Sequence, residues 1–143
     1  MGLDLMMFRE SDYNTYKRSG DYKDLNPEIL YGRKTWSLYY FFRNRKDTFA
    51  LDDEIYAIPR RAFEDFEILM LPYADFLDLV LNADEDTELD EDLIEKIYDK
   101  VFDIPASLGE GWDVRCFARW YAALPDIYKI YDDGDALVMI ASY

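Results

Sequence analysis

Apolar and polar residues change their spacing several times along this chain, and the changes divide it into elements. Leu3, Leu5 and Met7 alternate with Asp4 and Met6, the period-two pattern of a strand over Gly2 to Phe8. From Arg9 to Pro27 the chain is polar and rich in Tyr, Asp, Asn, Ser and Gly, which predicts a long loop of the kind that often carries function. A helix is predicted from Glu28 or Gly32 to Asn44, carrying Trp36, Tyr39, Tyr40 and Phe42. Asp52, Asp53 and Glu54 then mark a turn, and Ile55 to Ile58 a brief extended segment.

After Pro59 the spacing becomes helical: Phe63, Phe66, Leu69 or Met70, Tyr73, Phe76 or Leu77, and Val80 recur every three to four residues. Glu64, Asp65, Glu67, Asp75 and Asp78 take the other face. Pro72 lies inside this pattern, where it lacks an N–H donor and crowds the preceding turn, so a kink or two abutting helices is predicted. A further helix runs from about Asp90 to Ile104 on Leu93, Ile94, Ile97 and Val101, and stops before Pro105. Its acidic start suits the positive end of the helix dipole.

Gly109 to Gly111 is a break, and Trp112 to Leu124 reads as a helix burying Cys116, Phe117, Trp120 and Tyr121 or Leu124. Pro125 interrupts it, and Ile127 to Tyr131 fits either a continued helix or the first arm of a hairpin turning at Asp133-Gly134. Ala136 to Tyr143 is the clearest strand, and the N-terminal strand is its natural partner. The predicted fold is α+β: one domain over residues 1–143, mainly helical with about four helices, and a small sheet pairing the N- and C-terminal strands.

Composition narrows the chemistry. Half of the 143 residues are apolar and 17% are aromatic, enough to build one core. Cys116 is the only cysteine, so an intramolecular disulfide and a cysteine-cluster metal site are excluded. Histidine is absent, which rules out a Ser-His or Cys-His nucleophile and a His-bound zinc. The N-terminus lacks a basic start and a long apolar run, and no span approaches the ~20 apolar residues of a bilayer crossing, so a cytoplasmic setting is expected.

The net charge of −15 is confined to one third of the chain. Between Ala62 and Asp113 stand 17 acids and two lysines, and the remainder balances at 14 of each sign. Asp84, Glu85, Asp86, Glu88, Asp90, Glu91 and Asp92 crowd into one stretch that no core-facing pattern explains. Such a balance argues against direct binding of nucleic acid or of anionic membranes and for basic partners or cations.

Asp84, Asp86, Glu88, Asp90, Asp92 and Glu95 fall on positions 1, 3, 5, 7, 9 and 12 of an EF-hand loop, but Leu89 stands where the sharp turn requires Gly. A solvated loop leading into a helix is the plainer reading, and no metal or other cofactor is predicted. A second reading is mimicry of nucleic-acid charge: were the stretch helical, it would carry roughly one charge per 2 Å, against one per ~1.7 Å of DNA axis. Glu64, Glu67, Asp75 and Asp78 would extend that surface. Carboxylate pairs such as Glu64 with Glu67 could also serve a metal-dependent hydrolase, though pairs of this kind arise by chance among 31 acids.

Arg33, Lys34, Arg43, Arg45, Lys46, Arg60 and Arg61 form a basic counterweight. They either pair with the acids, within the fold or across a homodimer, or hold a phosphate beside stacking aromatics. Cys116, Trp36, Trp112 and Trp120 are core candidates, whereas Tyr13, Tyr16 and Tyr22 point to a contact surface.

The opening Met1-Gly2-Leu3-Asp4-Leu5, the segment Tyr31-Gly32-Arg33-Lys34-Thr35-Trp36 and the closing Val138-Met139-Ile140-Ala141-Ser142-Tyr143 resemble small bacteriophage or prophage proteins of uncharacterised function. The resemblance implies a context, the bacterial cytoplasm and small inhibitors of host proteins, and no site residue. The function expected is therefore that of a non-enzymatic acidic protein that binds and inhibits a basic host protein, with DNA mimicry as one means. The partner-binding residues are Asp84, Glu85, Asp86, Glu88, Asp90, Glu91, Asp92, Glu64, Glu67, Asp75 and Asp78. A structural or accessory role without charge-driven binding is the alternative.

Overall fold

The computed structural model describes residues 3–25, 28–33, 35–84, 86–101 and 112–142. It confirms an α+β fold in which the terminal strands pair. Strand β1 (Asp4–Arg9) runs antiparallel to β5 (Leu137–Ser142), with Leu5 opposite Ala141 and Met7 opposite Met139. Strand β2 (Leu30–Arg33) flanks β1 on the outer side, and the hairpin of β3 (Phe49–Asp52) and β4 (Ile55–Ile58) flanks β5 on the other. The sheet order is β2-β1-β5-β4-β3, antiparallel throughout. Three of its strands were predicted as extended chain, while β2 falls inside the predicted first helix and β3 beside the predicted turn.

The helices are α1 (Glu10–Ser19), α2 (Trp36–Arg43), α3 (Arg60–Met70), α4 (Ala74–Leu81), α5 (Glu91–Val101), α6 (Trp112–Ala122) and α7 (Leu124–Asp132). Pro72 acts as its place in the pattern predicts: α3 and α4 abut through a 3-10 turn, Leu71–Tyr73. Leu5, Met7, Leu137 and Met139 from the sheet join Phe63, Phe66, Phe117 and Trp120 from the helices in one buried cluster. Phe42 is central to it, with its ring 5.0 Å from Phe63 and 5.8 Å from Trp120.

The predicted loop over Arg9–Pro27 is a helix followed by a 3-10 turn at Tyr22–Leu25. Only Tyr13 of α1 is buried, so the helix carries no apolar stripe for periodicity to reveal. Its ends hold the signals that matter: Glu10 and Asp12 in the first turn, Lys17 and Arg18 in the last, and Gly20 closing it at φ 70° with its N–H on the Tyr16 carbonyl. Phe8 and Val138 are buried apart from the main cluster and alternate away from its face, on the side that α1 covers. That cover explains why Leu137, Val138 and Met139 are all fully buried, although a sheet with one wet face would alternate.

One further expectation needs correction, and one open alternative is settled. The first aromatic helix starts at Trp36, because Leu30 and Gly32 face the core from strand β2, opposite Met7 and Leu5. Ile127 to Tyr131 takes the helical one of the two conformations the sequence allows: α6 ends at Ala122, and Pro125 sits in the first turn of α7, where a missing N–H costs nothing. Leu124, Ile127 and Ile130 bury one side of that helix, and Gly134 at φ 88° turns the chain into β5. The predicted end of the third helix at Ile104, and the break at Gly109 to Gly111, lie outside the described residues.

Candidate functional site

The acidic run follows α4 and leads into α5, and its carboxylates divide by what they do. Asp84 folds back on its own turn: its Oδ1 accepts hydrogen bonds from the Thr87 hydroxyl at 2.8 Å and the Asp86 N–H at 3.0 Å. Those donors hold its carboxyl below the usual range, Thr87 contributing most. Asp90 caps α5, its Oδ1 accepting from the N–H groups of Asp92 at 3.0 Å and Leu93 at 3.3 Å. Leu89, in place of the glycine an EF-hand needs, packs against the core with Leu93 and Ile94. Among the described residues no group of three Asp, Glu, Cys or His is placed to hold a metal ion.

The stretch up to Asp90 is turn and loop, so the helical charge spacing used in the DNA comparison does not apply there. The Thr87 N–H closes a turn on the Asp84 carbonyl at 3.3 Å, so the spacing of these charges follows the turn and not a regular helix. Asp86, Glu88, Glu91, Asp92 and Glu95 remain exposed, and none makes an ion pair among the described residues. Glu85 lies outside the described residues.

The acids of α3 and α4 are unlike one another. Glu67 is half-buried and its Oε1 accepts the Tyr128 hydroxyl at 3.1 Å, so it is tied to α7. Burial first, and then the Glu67 carboxylate, push the Tyr128 hydroxyl well above its ordinary pKa. Asp65 is bound by Arg45 at 2.9 Å and Arg61 at 3.1 Å. Glu64 is half-buried, whereas Asp75 and Asp78 are exposed and unpaired among the described residues. On the same pair of helices Ile68, Leu71 and Leu79 are also exposed. Helix α5 packs against α2 and α3.

Part of the predicted basic counterweight is spent inside the fold. Arg45 also holds Asp47 at 2.8 Å, Arg60 meets Asp132, and Arg43 donates to the Tyr56 hydroxyl at 2.9 Å. Lys34 lies outside the described residues. Of the tyrosines expected at a contact surface, Tyr13 is buried, Tyr16 half-buried and Tyr22 exposed, and their rings meet in succession at tilted angles, Tyr16 and Tyr22 at 5.2 Å. Cys116 and Trp120 are core residues as expected, and the Trp120 Nε1 donates to the Tyr31 carbonyl at 3.2 Å.

Arg115 is the residue that spacing could not single out. It lines a cavity of about 340 Å³ with Val80, Asp84 and Arg119, and its Nη2 lies 3.4 Å from the Asp84 carbonyl oxygen. The acidic run thus starts against α6, with the Asp84 carboxylate turned to its own loop.

Fold and site together define an α+β protein with an acidic segment, several of whose exposed carboxylates make no ion pair among the described residues. No family model, curated protein or solved structure matches it. No helix among the described residues is long and apolar enough to cross a membrane.

Proposed function

We infer that this protein acts by binding, without catalysis, and that its acidic surface occupies a basic face of another protein and inhibits it. The observation that carries this reading is a set of exposed carboxylates on one segment: Asp75, Asp78, Asp86, Glu88, Glu91, Asp92 and Glu95 are exposed and make no ion pair among the described residues. Unpaired like charges on one segment repel, and a basic partner relieves that repulsion on binding. The absence of histidine supports a role without acid–base chemistry. The target class proposed is a nucleic-acid-binding protein of a bacterial host, whose phosphate groove the acids would fill.

The test is retention of bacterial proteins on the immobilised chain at low and high salt, with double-stranded DNA as competitor. Glu88→Lys, Glu91→Lys and Asp92→Lys combined serve as the control. Binding should weaken steeply as salt rises and be lost in the charge-reversed variant. Retention that ignores both salt and charge reversal rejects the reading. Retention that responds to both but not to DNA moves the target to a basic surface that holds no nucleic acid.

A further inference from the structure

The α3–α4 surface carries more than charge. Ile68, Leu71 and Leu79 are 62, 60 and 56% exposed. With Pro72 and Asp75 they recur at three- and four-residue steps, so they share the face opposite the buried Phe66, Met70 and Leu77. The 3-10 turn at Leu71–Tyr73 joins the two helices directly, and Leu71 of the exposed set lies on it. An apolar seam with charges alongside is the pattern by which one helix packs on another.

Charge selects the occupant. Asp75 interrupts the seam between Leu71 and Leu79, and Glu64 and Asp78 stand on the same two helices. A helix laid along the seam desolvates the Asp75 carboxylate, which is costly unless a cation meets it. Arg61, seven residues before Ile68 on the same face, is already held by Asp65 at 3.1 Å, so a second copy of this chain brings no free cation to Asp75 from the same seam. Antiparallel self-pairing would bring the two Asp75 carboxylates into one small region, with a net charge of −15 on each side.

We propose that the α3–α4 seam docks a basic amphipathic helix of the partner protein. Its aliphatic residues cover Ile68, Leu71 and Leu79, and a Lys or Arg meets Asp75. The proposal rests on the reading that the acidic surface binds a basic protein, and it narrows that partner from any basic surface to a helix with an apolar stripe.

Two synthetic peptides of identical Leu and Lys content test it, one with leucines at helical spacing and one scrambled. Fluorescence anisotropy would measure each against the native chain, against I68S/L71S/L79S and against E88K/E91K/D92K. The ordered peptide should bind the native chain at least about tenfold more tightly than the scrambled one, and the seam variant should lose at least about tenfold of that affinity. Asp75→Asn should weaken the ordered peptide alone. The seam residues are exposed, so the variants should keep the native melting temperature; Ile68→Ser and Leu79→Ser taken singly provide the comparison if the triple change does not. Equal binding of the two peptides, or a seam variant that binds as the native chain does, overturns the proposal. If that happens while charge reversal weakens both peptides, the charge-driven reading stands alone. If the seam variant loses binding and charge reversal changes nothing, the seam stands and the acidic run has no part in it. A dimer of the native chain in sedimentation, dissociated by the seam changes, assigns the seam to a second copy and overturns the proposal.

Discussion

Gly32 is the residue whose replacement the structure resists most directly. A Cβ there would lie 2.6 Å from the Thr35 Oγ1 and 3.2 Å from its Cγ2, and Thr35 is fully buried, short and β-branched, with nowhere to move. Gly32→Ala is expected to destabilise by about 1–3 kcal/mol, seen as a lower urea midpoint at unchanged slope. Adding Thr35→Ala should recover part of the loss, since it removes both the clash and a buried hydroxyl that has no hydrogen-bond partner. The acidic run offers a second contrast. Asp90→Ala removes the cap of α5 and should cost about 1 kcal/mol, while Glu88→Ala, at an exposed position without partners, should stay within about 0.5 kcal/mol. Equal losses at the two sites in chemical denaturation would contradict the division of the run into structural and free carboxylates. That Asp90 begins a helix was legible, because an acid precedes the first apolar residue of a periodic run. The inward turn of Asp84 was not, since it depends on Thr87 folding back.

At the scale of elements, legibility followed the side chain's share of burial. Helices α3 and α4 bury Phe63, Phe66, Phe76 and Leu77 at helical spacing and were predicted with their break at Pro72. Helix α1 buries one side chain and strand β3 none, so their periods left no trace in the pattern. Helix α1 is tied down by polar contacts, the Ser11 N–H and hydroxyl binding the Asp135 carboxylate, and β3 by its backbone ladder with β4. Helix α7 was ambiguous because Pro125 and Asp133-Gly134 fit a helix or a hairpin, and packing decides it. The Tyr131 hydroxyl donates to the Ile58 carbonyl and accepts from the Leu137 N–H at 3.3 Å, joining α7 to two strands. Tyr131→Phe should therefore cost about 1–3 kcal/mol, with hydrogen exchange accelerated at β4 and β5. Exchange that quickens only within α7 would show that the hydroxyl does not tie the helix to the sheet.

For the whole molecule, charge and pH act in opposite directions. At neutral pH a net charge of −15 repels itself, so added salt should raise the melting temperature. Acid first relieves that repulsion as the chain approaches its pI of about 4.2. Further acid then removes specific interactions. Arg45 holds the Asp47 carboxyl below the ordinary range against a smaller burial effect, and Thr87 does the same for Asp84. Burial opposes ionisation of Asp135, but hydrogen bonds from Ser11 and the Ala136 N–H outweigh it. Each depressed carboxyl stabilises the fold above its unfolded pKa and loses that contribution as pH falls through its folded one. Stability should thus rise on mild acidification and fall below about pH 4, where these groups take up protons. A melting temperature that falls steadily from neutral pH would refute the repulsion argument.

The sequence by itself determined the charge segregation, the absence of histidine chemistry, the extended character of both terminal segments and the amphipathic run around Pro72. All of these are properties of residue type and local spacing. Only the tertiary structure decided which carboxylates are committed and which are free, because Asp65, Glu67 and Asp84 acquire their partners from Arg45, Tyr128 and Thr87 by folding. It alone also left Ile68, Leu71 and Leu79 in water on the face that carries Asp75, since periodicity shows which side of a helix is apolar but not how much of it the core can cover.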